Sequence, residues 1–155
     1  MTPFKNVYDA FFRYITDDQY MEFSEEETTE DCEGLLLASI PLFEFPSHPL
    51  DYSSDKEGNK FFTADLTLEE INILAMGMVQ IWVQRQVTSI EQTRQKYSGQ
   101  DFKLTSQASH LQRLMILLTR TKEEHRRMQM LHTRRRVGGD GTYESTFDMM
   151  VKRMN

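Results

Sequence analysis

Cysteine is almost missing from this 155-residue chain, Cys32 being the only one. A single thiol excludes a disulfide within the chain and a zinc site built on its own cysteines, which suits synthesis in a cytoplasm. Long apolar runs are missing too. The most apolar stretch, residues 71–83, is interrupted by Asn72 and Gln80 and then meets Gln84 and Arg85. It falls short of the ~20 residues that span a bilayer. The opening Met1-Thr-Pro-Phe-Lys-Asn leads into an amphipathic pattern with Asp9 and Arg13, unlike a secretory signal. At this length the chain is expected to be one domain that buries its core without staples.

The signatures of familiar chemistry are absent as well. There is no glycine-rich phosphate loop, no Gly-x-Ser-x-Gly elbow, no His-Glu-x-x-His pair and no calcium loop closed by glutamate. His48, His110, His125 and His132 are scattered. His125 and His132 share a helix face two turns apart, too far to ligate one ion without a third element. The carboxylates at 25–27, 30, 31 and 33 point in different directions around a helix and read as a solvated first turn. No catalytic, cofactor-binding or metal-ligating residue is expected, and no enzyme.

What is present is a clearly punctuated helical chain. Thr67 and Glu70 form a capping box ahead of a run that is apolar on nearly every side, so the helix from about 68 to 96 is predicted to be the buried centre of a bundle. Ile71, Leu74, Met78, Trp82 and Val87 are its packing positions, and Gly77 marks a close approach by another helix. A first helix is expected with Thr2 as N-cap, Pro3 at its first position and a stripe of Phe4, Val7, Phe11, Tyr14 and Ile15. Thr16-Asp17-Asp18 breaks that pattern. Ser24-Glu25-Glu26-Glu27 opens a second helix with a capping box, Cys32, Leu35, Leu36, Ser39 and Ile40 inward, and Pro41 as its limit. A fourth is expected after Ser106, packing by Leu111, Leu114, Met115, Leu118, Thr121, His125, Met128 and Leu131.

Residues 45–59 are rich in turn formers and read as a long surface loop. Residues 60–65 read as a short extended piece bringing Phe61 or Phe62 to the core, without a sheet. Turn chemistry at 97–102 ends the third helix. Residues 1–137 are expected to form the bundle, and Gly138-Gly-Asp-Gly141 to hinge an arm, 138–155, whose apolar residues want a partner. The fold class is therefore mainly α: about four helices around a central buried one, with a long loop and a hinged C-terminal arm.

Charge is segregated. Residues 1–70 hold 17 Asp/Glu against 4 Lys/Arg, residues 71–155 hold 7 against 14, and the net is −6. This suits either complementarity within one subunit or copies meeting head to tail, acidic flank against basic flank. Arg126, Arg127, Arg134, Arg135 and Arg136 cluster at the end of the fourth helix, where they complement its dipole or contact phosphate or an acidic neighbour. The candidate interaction residues are Phe45, His48 and Tyr52 in the loop, these five arginines, and Tyr143, Phe147 and Met150 in the arm.

Several segments then fall into a familiar order: Val7-Tyr-Asp-Ala-Phe-Phe-Arg-Tyr-Ile-Thr-Asp-Asp18, Phe23-Ser-Glu-Glu-Glu27, Ala38-Ser-Ile-Pro-Leu-Phe43, the stretch 62–82 and Asp101-Phe-Lys-Leu-Thr-Ser-Gln-Ala-Ser-His-Leu111. Over about residues 4–131 the chain resembles the head–tail connector (adaptor or neck) proteins of tailed bacteriophages. The resemblance implies a mostly helical subunit of a ring, commonly of twelve, seated under the portal in the virion neck. Such a ring extends the DNA channel to the tail without reading sequence. Its implied partners are its own copies, the portal and tail or head-closure proteins, with no membrane and no cofactor. The Gly-Gly-Asp-Gly arm departs from the compact ending of that family. Two alternatives stand beside this reading: a tail-completion or head-closure component, and a small regulator binding nucleic acid or an acidic partner through its basic last helix.

Overall fold

The structure is a computed structural model that describes residues 1–15, 20, 22–97, 104–137 and 143–145. It is mainly helical. α1 spans Phe4–Phe11, α2 Glu25–Ser39, α3 Leu68–Tyr97 and α4 Leu104–Arg134. β1 is Thr2–Pro3, β2 Tyr52–Ser54 and β3 Lys60–Phe62; β4 (Arg135–Val137) and β5 (Tyr143–Ser145) follow α4.

α3 is the centre, as its apolar girth predicts. Ile73, Leu74, Ala75, Met76, Met78, Val79, Val83 and Val87 are all buried, because α1, α2 and α4 each pack on it. Its capping box is formed: the Thr67 amide donates to Glu70 Oε2 at 2.9 Å and the Glu70 amide to Thr67 Oγ1 at 3.2 Å. Gly77 lies where two helices converge on α3. A Cβ there would stand 3.0 Å from Ser39 Cβ of α2 and 3.5 Å from the His125 ring of α4, the close approach its place in the helix foretells.

α2 starts at the Ser24–Glu27 capping box, which holds the Glu27 carboxyl below its usual range, and Pro41 turns its end into a 3-10 segment at Ile40–Leu42. Cys32, Leu35, Leu36 and Ser39 are buried, with Ile40 partly so. α4 buries Leu111, Leu118, Thr121, His125 and His132 at three- and four-residue intervals, with Leu114 and Met128 half-buried. It begins at Leu104, ahead of the expected start after Ser106, and Met115 is 50% exposed instead of packed.

The start of the chain and the 45–65 region depart further from expectation. Thr2 does not cap α1. Thr2 and Pro3 pair antiparallel with Phe62 and Phe61, and the Thr2 hydroxyl accepts from the Leu66 amide at 2.8 Å, so Pro3 occupies the N-cap without a side-chain bond. Residues 60–62 are the middle strand of a three-stranded sheet ordered β1-β3-β2, with Tyr52 opposite Phe62. Strands of two and three residues are too short to show an alternating pattern, which is why none was expected. The turn does have a local cause. Asp55 Oδ1 accepts from the amides of Glu57 and Asn59, and Gly58 takes φ +89°. Phe62 is fully buried against Phe4, ring centroids 4.7 Å apart, whereas Phe61 is half-buried.

Tyr14 is exposed. The break at 16–18, the turn at 98–102 and the hinge at 138–141 lie outside the described residues. So do Phe147 and Met150. β5, which belongs to the expected arm, pairs antiparallel with β4, Arg135 opposite Ser145 and Val137 opposite Tyr143.

Candidate interaction groove

Residues 42–48 leave α2 and cross between the start of α3 and the last third of α4. Polar side chains from both helices hold them there. From α4, Gln129 behaves like a neighbouring strand: its Oε1 accepts from the Glu44 amide at 2.9 Å and its Nε2 donates to the Leu42 carbonyl at 3.0 Å. These two backbone partners fix the orientation of the Gln129 amide. Its Nε2 also lies 3.3 Å from His125 Nε2, which must therefore be the unprotonated ring nitrogen, leaving the Nδ1 proton facing Gln80 Oε1 at 3.3 Å. Burial pushes the His125 pKa down, against the opposing pull of the Ile73 backbone and the Glu44 carboxylate. A neutral imidazole agrees with both observations.

One helical stretch further along, His132 is buried beneath the loop. Its Nε2 lies 3.0 Å from Ser47 Oγ, its Nδ1 3.3 Å from Glu69 Oε2, and its ring meets Phe43 edge-on at 5.6 Å. From α3, the Glu70 side chain is completely buried yet fully partnered. Oε1 accepts from the amides of Ser47 and His48, both at 3.0 Å; Oε2 accepts from the Thr67 amide at 2.9 Å and Thr67 Oγ1 at 3.0 Å, and lies 2.8 Å from His48 Nδ1. Burial alone would raise this carboxyl's pKa, but the hydrogen bonds from Thr67 and His48 outweigh it and hold the pKa below the usual range. One residue thus caps α3 and anchors the loop.

The anchored loop forms one wall of an open groove of about 1910 Å³ whose other walls are the α3 start and α4. Phe45 stands on its rim at 65% exposure, with Leu68 and Met130 also exposed and Lys122 and Arg126 of α4 in the lining. Four candidates, Phe45, His48, Arg126 and Arg135, are brought to this one groove. Tyr52 is not: it sits on the sheet against Phe4, centroids 5.5 Å apart. Arg127 forms a two-pronged pair with Glu124 at 2.8 and 2.9 Å, and Arg135 is paired with Glu69 at 3.0 Å. The basic cluster is therefore partly neutralised within the chain. Arg134 is exposed at the helix end, and Arg136 and Tyr143 lie in β4 and β5.

The residues that build the groove, Ser47, Glu69, Glu70 and Gln129, were not candidates in the sequence. The signal available was the shared face of His125 and His132, to which Gln129 adds the intervening turn. Among the described residues, no three His, Cys, Asp or Glu side chains are grouped to hold a metal ion, and no helix is long and apolar enough to cross a membrane. No family model, no curated protein and no solved structure matches this chain.

Proposed function

We propose that this chain is a virion structural protein, a head–tail connector subunit that works by protein–protein contact in the neck of a tailed phage. The observation that carries the reading is the fixed loop. Backbone groups of residues 42, 44, 47 and 48 are tied to α3 and α4, while Phe45 between them projects into solvent. An exposed aromatic on a held backbone binds a partner with little ordering cost, which is how interface anchors act. The segregated charge supports the same reading, since an acidic surface along a channel does not grip passing phosphate. The action is geometric: a ring of copies joins the portal to the next tail component and continues the DNA path.

The test is reconstitution with the portal of the same phage. The wild-type chain is expected to bind it, and Phe45→Ser to weaken binding by about 2 kcal/mol, a loss of roughly thirtyfold. A chain that joins neither portal nor virion refutes the reading. Salt-sensitive DNA binding lost on combined Arg134→Ala, Arg135→Ala and Arg136→Ala would replace it with the regulator.

A further inference from the structure

Among the described residues, two exposed surfaces complement each other. The first is a belt on α4. Along most of its length this helix is polar on the side away from α3, but residues 114–117 are Leu-Met-Ile-Leu, apolar around the full circumference. Leu114 turns towards the core, leaving Met115, Ile116 and Leu117 at 50%, 48% and 44% exposure. A helix apolar on all sides has a second neighbour. Arg113 and Arg120 flank the belt, about 10 Å apart along the axis. Both are exposed, and neither is in an ion pair among the described residues.

The second surface is a hollow of about 450 Å³ at the start of α2, over α3. Tyr20, Phe23 and Trp82 give it an aromatic lining, and Glu27 and Glu30 an acidic edge. Phe23 is 46% exposed and meets Tyr20 edge-on at 5.8 Å. Tyr20 is itself fixed by its hydroxyl, which donates to Asp31 at 2.6 Å, while Arg85 donates to the other Asp31 oxygen. Gly34 leaves the helix surface open beside it, with nothing within 4 Å of a Cβ.

We infer that the Met115–Ile116–Leu117 belt of one copy seats in the Tyr20–Phe23–Trp82 hollow of a second copy, with Arg120 or Arg113 meeting Glu30. This rests on the self-assembly part of the connector reading and names its contact. An apolar centre with a basic rim meets an aromatic centre with an acidic rim, so apolar burial and charge favour the same pairing. Because the two patches differ, the contact is head to tail, the type that closes a ring or runs on as a filament. α4 runs antiparallel to α3, with His125 beside Gln80 and His132 beside Glu69. On this register the belt stands about level with residues 88–90 of α3, roughly one turn past Trp82, Arg85 and Gln86 of the hollow.

Cysteine cross-linking of the full chain tests this, since Cys32 is fully buried and its thiol pKa is pushed up to about 12, first by burial. Gly34→Cys mixed with Ile116→Cys is expected to give a disulfide dimer under mild oxidation, neither variant alone to dimerise comparably, and the double variant to give a ladder. Arg120→Glu is expected to weaken self-association about tenfold, with recovery when Glu30→Arg is added. Rings or multimers that form without these cross-links overturn this contact and leave the connector reading standing. Equal dimerisation of one single variant with itself overturns it as well, by showing a symmetric contact. Absence of any multimer, alone or with portal, overturns both.

Discussion

Replacing Glu70 with glutamine keeps the side chain's shape and removes one acceptor oxygen, so its cost can be worked from the geometry. If the new amide nitrogen takes the place of Oε1, it faces the amides of Ser47 and His48, two donors that are left without an acceptor. If it takes the place of Oε2, it faces the Thr67 amide and hydroxyl and the His48 ring nitrogen. Either orientation loses at least two charge-assisted bonds at about 1.5–3 kcal/mol each. Part is recovered by rearrangement at the half-exposed His48, so about 3 kcal/mol is expected. In a chain of this size that lowers the melting temperature by roughly 10 °C. Urea unfolding followed by circular dichroism gives the free energy, and hydrogen exchange at Ser47 and His48 reports the loop directly. A cost below about 1 kcal/mol, with both amides still protected, would refute the anchoring role. Acid gives a second reading of the same group. Its folded pKa lies below the unfolded one, so its stabilisation is present above the ordinary glutamate range and is lost as pH falls through the folded value. Glu70→Gln removes that part of the acid dependence.

His125 contributes in the same direction at higher pH. Its folded pKa is depressed, so on acidification the unfolded chain takes up the proton first, and stability falls from about pH 6.5 downward by up to ~1.4 kcal/mol per pH unit. The urea midpoint measured across that range should slope in the wild type and flatten in His125→Gln; equal slopes would contradict the neutral, buried imidazole. Two glycines give an opposed pair. Gly77→Ala places a methyl 3.0 Å from Ser39 Cβ, which is fixed to the α2 backbone, so despite better helix propensity it should cost about 1–2 kcal/mol. Gly34→Ala meets nothing and should gain up to about 1 kcal/mol. Urea titration of both decides, and equal effects would mean α2 does not sit where described.

The helices were legible because each announces itself locally. Ser24–Glu27 and Thr67–Glu70 are capping boxes readable from four residues, and the buried side of α4 follows from spacing alone. Gly77 was legible for the same reason, as an expense in a helix that only a close neighbour explains. The sheet was not, because Thr2–Pro3 and Lys60–Phe62 meet across the whole first half of the chain and neither has enough residues for a pattern. The groove was half legible. Phe45, His48, Arg126 and Arg135 could be chosen by type, but what fixes them is Glu70 reaching back over 22 residues and Gln129 over 85. Such pairings belong to the tertiary fold. Charge segregation was visible in composition, whereas Met115 was misread as a packing position, since three- and four-residue spacing does not distinguish one apolar side from two.

The central claim, that the chain is a structural component of a virion neck, is tested most directly by an averaged electron-microscopy map of the head–tail vertex in virions from a lysate expressing it. The account predicts a ring of this subunit directly beneath the portal, with the Phe45 loops in contact with a neighbouring protein. Purified virions that lack the chain altogether would contradict it.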